Sequence, residues 1–112
     1  MNIYDTANRL AYEMKNSEEY KNYKKQKEEI ANQPELKEKL EKFEKERYEV
    51  QIAAISEGKQ EIEKANELQN LYVELIANEK MKQYFDSELK FNIMLADVNK
   101  IISEAVEDVI KW

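Results

Sequence analysis

The stretch NEKMKQYFDSELKFNIMLADVNKIISEAVEDVIKW, residues 78–112, decides the fold. Read in alternating steps of three and four, it presents Met81, Tyr84, Glu88, Phe91, Leu95, Val98, Ile102, Ala105, Val109 and Trp112, and only Glu88 interrupts the apolar run. That spacing keeps the side chains on one stripe of a helix and scatters them over both faces of a strand. It predicts one long helix over about Glu79–Ile110, capped by Asn78. About 32 residues of helix extend about 48 Å, whereas a compact globule of this chain length is about 34 Å across. Such a helix overhangs its own core. The overhanging end still carries Val98, Ile101, Ile102, Val106, Val109, Ile110 and Trp112, and apolar patches of that size mark interaction surfaces. A two-fold dimer is the simplest cover, with Phe91, Leu95, Val98, Ile102, Ala105 and Val109 as the expected interface.

Working back from this helix, Ile62, Ala65, Leu68, Leu71, Tyr72, Leu75 and Ile76 define another over about Gln60–Ala77. Before it lie Ser56, Glu57 and the single glycine, Gly58, the residue type best able to turn the chain through positive φ at a helix end. From Pro34 to about Ile55, Leu36, Leu40, Phe43, Val50 and Ala54 share one line, which Arg47 interrupts, and Tyr48, Ile52 and Ile55 a neighbouring one. Proline suits a first helical turn, where no N–H is needed. Ser17 followed by Glu18 and Glu19 is a start signal for a helix over about Glu18–Ala31. Asn2 and Asp5 open the first helix, Ile3–Lys15, whose apolar face is Ile3, Ala7, Leu10, Ala11 and Met14. A continuation of the first segment into the second through a kink is the alternative. The expectation is an all-α chain: a single domain over 1–112, an antiparallel bundle of about five helices ending in the long one.

Composition agrees. One Gly and one Pro in 112 residues cannot furnish the turns of a sheet protein, and seven Tyr, three Phe and one Trp oppose disorder. No stretch approaches the roughly 20 apolar residues of a membrane span, and MNIYDTANRL lacks a signal-peptide layout, so a cytoplasmic protein is expected. Cysteine and histidine are both absent. That removes thiol nucleophiles, sulfur-ligated metals and the commonest general base, and lowers the expectation of an enzyme. Net charge is −6, and residues 61–112 hold 11 acids against 6 bases. The one basic cluster, Lys21, Lys24, Lys25 and Lys27, is flanked by Glu18, Glu19, Glu28 and Glu29, so nucleic-acid binding is not expected.

Specific sites weigh lightly. A di-iron bundle needs Glu-x-x-His pairs, which a chain without histidine cannot form. A calcium loop needs Asp and Asn around a glycine, and Gly58 has Ser56, Glu57 and Lys59 beside it. One glycine cannot build a phosphate loop. Glu88 and Arg47, each the one charge on its stripe, are a candidate interhelical ion pair that would fix register. No catalytic, metal or cofactor residue emerges, and no cofactor is expected.

The order and spacing of NIYDTANRL (2–10), SEEYKNYK (17–24), NQPELKEKLEKFEKER (32–47) and LIANEKMKQYFDSELKFNIMLADVNKIISEAVE (75–107) resemble the YlbF/YmcA family of small bacterial helical proteins, its YheA-like branch most of all. The chain departs from relatives in having Asn78-Glu79 where many have Asn-Pro. The resemblance implies a cytosolic helical bundle that dimerises and, in some relatives, a subunit of a complex acting on RNase Y and thereby on mRNA processing, competence and sporulation. Iron–sulfur clusters held by cysteines in such relatives have no ligand in this chain. The reading that results is a non-enzymatic interaction protein, an accessory or regulatory subunit, most simply a homodimer with a protein partner of unknown identity. The alternative is a holdase-like chaperone that binds unfolded chains through Met- and Tyr-lined helix surfaces.

Overall fold

A computed structural model describes residues 2–55 and 60–112, with Gln60 and Glu61 described by their backbone alone. The fold is all-α, with six helices among the described residues: α1 (Ile3–Lys15), α2 (Glu18–Ala31), α3 (Pro34–Ile55), α4 (Gln60–Ile76), α5 (Glu79–Ala105) and α6 (Glu107–Ile110). The expected turn at Gly58 lies outside the described residues.

Local chemistry sets the helix starts. Asn2 is extended, at φ −80° and ψ 141°, and its Oδ1 accepts from the Tyr4 N–H at 2.7 Å, which satisfies a donor that the first turn leaves unpaired. Ser17 separates α1 from α2 and serves both. Its hydroxyl donates to the Met14 carbonyl at 2.6 Å and accepts from the Tyr20 N–H at 3.2 Å. The first two segments are therefore two helices. Asn78 caps α5 in the same way, its Oδ1 accepting from Lys80 N at 2.9 Å and Met81 N at 3.2 Å.

The long helix is shorter than expected. It stops at Ala105, and Val106, at φ −114° and ψ 10°, leads into the single turn of α6. Restarting after Val106 places Glu107 and Asp108 in a first turn, where the macrodipole suits carboxylates, and Glu107 pairs with Lys111 at 2.7 Å.

Contacts divide the chain into two compact units, a terminal unit of Met1–Lys25 with Asp86–Trp112 and a core unit of Gln26–Phe85. In the core unit α3 packs on α4. Phe43, twelve residues before Ile55, meets Tyr72, twelve residues after Gln60, which is the register of an antiparallel hairpin. Ile30, Leu36, Leu40, Phe43, Leu75, Met81, Tyr84 and Phe85 are its buried apolar residues. The rings of Phe43 and Tyr72 stand edge-on to Phe85 at 5.2 and 5.1 Å. Each such pair contributes about 0.5–1.5 kcal/mol beyond its buried area. Lys80 and Glu29 form an ion pair at 3.6 Å.

Candidate functional site

Every buried apolar side chain among the described residues belongs to the core unit. The terminal unit is built otherwise. Its inward side chains, Leu10 and Met14 of α1, Tyr20 and Tyr23 of α2, and Phe91, Met94 and Val98 of α5, are all half-buried. Phe91 has Tyr23 at 5.5 Å and Tyr20 at 6.2 Å between ring centroids. Buried side chains there are polar: Ser87 and Glu88. The Tyr23 hydroxyl donates to Glu88 Oε2 at 3.3 Å, which gives that carboxylate a hydrogen-bond donor away from water.

Of the residues expected to form an interface, Phe91 and Val98 turn partly inward, whereas Leu95, Ile102, Ala105 and Val109 are exposed. Ile102 is 52% and Val109 79% exposed, and Val109 sits in α6, past the break, so the expected stripe is not one continuous helical line. Ile101, Val106, Ile110 and Trp112 are exposed as well. Burying one such aliphatic side chain is worth about 1.5–3 kcal/mol.

Arg47 donates to Glu44 Oε1 at 2.7 Å and lies over the Phe43 ring, 5.3 Å from its centroid. Two surfaces were not singled out by the sequence. The tip of the α3/α4 hairpin exposes Tyr48, Ile52, Ile55 and Ile62. An open groove of about 420 Å³ lies in the terminal unit, lined by Glu19, Lys90, Ile93, Met94, Asp97 and Val98. Its α5 residues recur at i, i+3, i+4, i+7 and i+8, a helical face readable from spacing and hidden by its two charges.

Among the described residues no three or more carboxylates cluster as a metal site would require, and with no cysteine in the chain a thiolate-held cluster does not fit. No helix among the described residues is long and apolar enough to cross a membrane.

Comparison with known proteins adds a family. Residues 3–107 match the family described as "Control of competence regulator ComK, YlbF/YmcA". A UPF0342 protein of Desulfitobacterium hafniense is 35% identical, over 98% of this chain and 89% of its own. UPF0342 proteins of Caldicellulosiruptor saccharolyticus and Symbiobacterium thermophilum are 34% and 35% identical, covering 95% and 94% of this chain and 88% and 94% of theirs.

Proposed function

This chain belongs to the YlbF/YmcA family, and on that premise we propose that it is a non-enzymatic cytoplasmic regulatory subunit, a homodimer that works by binding another protein. One observation carries the reading: the terminal unit has no buried apolar side chain among its described residues, yet offers a row of exposed ones from Leu95 to Trp112. A unit that buries its apolar side chains only in part gains further stabilisation from a partner.

In this reading α5 and α6 serve the dimer through Leu95, Ile102, Ala105 and Val109, with Phe91 and Val98 behind them, and the hairpin tip is left for the regulated protein. The family description points to control of competence, and the RNase Y machinery is the partner to seek first. Light scattering at micromolar concentration should give about twice the chain mass of 13.4 kDa; a clean monomer removes the dimer. Affinity capture from the native cytosol should recover a protein partner. No partner, together with turnover in a metabolite screen, would overturn the regulatory reading.

A further inference from the structure

The groove of the terminal unit carries a self-complementary charge pattern. Ile93 and Met94 lie side by side at its middle, with Lys90 three residues before Ile93 and Asp97 three residues after Met94. Neither Lys90 nor Asp97 has a salt-bridge partner among the described residues, and both are exposed. Two turns of helix, about 10.5 Å, separate the two charges. A helix laid antiparallel along this face, about a two-fold axis passing between Ile93 and Met94, sets its own Asp97 opposite Lys90 and its own Lys90 opposite Asp97. It also sets Ile93 against Met94 twice. A two-fold interface demands that relation, in which each contact recurs with the partners exchanged. A parallel helix would need a different pattern, and a second copy supplies this one without further adjustment.

We propose that the occupant of the groove is α5 of a second copy, seated antiparallel with Lys90 and Asp97 paired reciprocally across the axis. This seating rests on the dimer reading above and adds a contact on a second flank of α5, about 140° around the helix from Leu95 and Ile102. It places the charged flank of α5 at the centre of the interface, with Ile93 and Met94 as the apolar contact and the Glu19 carboxylate of α2 in the same rim. Lys90 and Asp97 therefore favour this register over the slip of seven residues that would set Lys90 against Lys90.

The test is a charge-swap cycle on the full chain, read by sedimentation equilibrium. Lys90→Glu and Asp97→Lys each create two like-charge contacts, so each should weaken dimerisation by about tenfold or more at low ionic strength. The double variant restores both pairs with signs exchanged and should return to within about threefold of the parent. Both residues are exposed, so these changes leave the fold of the chain alone. A second measurement exploits the absence of cysteine: Ile93→Cys should oxidise to a covalent dimer, while Lys37→Cys on α3 should not. A parent dimer with unaffected single variants, a double variant weaker than either single, or no preferential linking at position 93 overturns this seating while the dimer stands. A parent monomer overturns the dimer reading and the seating with it.

Discussion

The core unit and the terminal unit draw on the same residue types and spend them differently. In the core unit Ile30 and Met81 are fully buried, and Phe43, Tyr72 and Phe85 close a ring cluster around the helix hairpin. In the terminal unit Phe91 meets Tyr20 and Tyr23, but all three rings stay half-exposed, and its buried side chains are Ser87 and Glu88. Leu10, Met14 and Val98 are as apolar as Leu36, Leu40 and Leu75, so composition does not account for the contrast. The core unit is closed by an antiparallel return of the chain onto itself. The terminal unit receives no such return among the described residues and leaves α5 and α6 open to an outside surface.

The comparison is most exposed to a truncation in the core unit. Phe43→Ala removes the ring that Tyr72, Phe85 and the Arg47 guanidinium all touch, and should cost about 3–5 kcal/mol, read from urea unfolding followed by circular dichroism. A loss below 1 kcal/mol on that scale would mean that the hairpin is not where stability resides.

The second test lies in the terminal unit. Ile102 is half-exposed within one chain, so Ile102→Asp should leave helicity intact and halve the particle mass, at a cost to dimerisation of about 2–4 kcal/mol from a carboxylate forced into an apolar interface. An unfolded chain would place Ile102 in an intrachain core and erase the contrast, and an unchanged dimer would remove Ile102 from the interface.

The smallest expected effect sharpens the account of how α5 begins. Asn78→Ala leaves the Lys80 and Met81 N–H groups without their side-chain acceptor and should lower stability by about 1 kcal/mol, seen as a modest fall in melting temperature. Asn78→Asp should recover most of that loss.

Local signals were legible in the sequence, and long-range ones were not. Asn2, Ser17 and Asn78 each mark a helix start because a cap acts on backbone groups two or three residues away, and Pro34 does so because a first turn needs no N–H. The stop at Ala105 was not legible, because the apolar stepping runs on through Val109 and no glycine or proline marks the break at Val106. Which half of α5 would be buried could not be read. Met81, Tyr84 and Phe85 differ from Leu95 and Ile102 in where the rest of the chain comes to lie, not in type. The groove was missed for a related reason, since Lys90 and Asp97 read as solvated charge until Ile93 and Met94 are seen between them.

The break at Val106 has a spectroscopic consequence. Beyond it the chain carries its one tryptophan, Trp112, fully exposed and past the last helical turn. Indole emission from a single chain therefore starts at its water-exposed limit and shifts little when the ring cluster around Phe85 comes apart, so a fluorescence melt would be nearly silent while circular dichroism records the loss of helix. The same indole becomes informative when another surface covers that tail: a blue shift on raising protein concentration, or on adding a partner, reads association without any attached label.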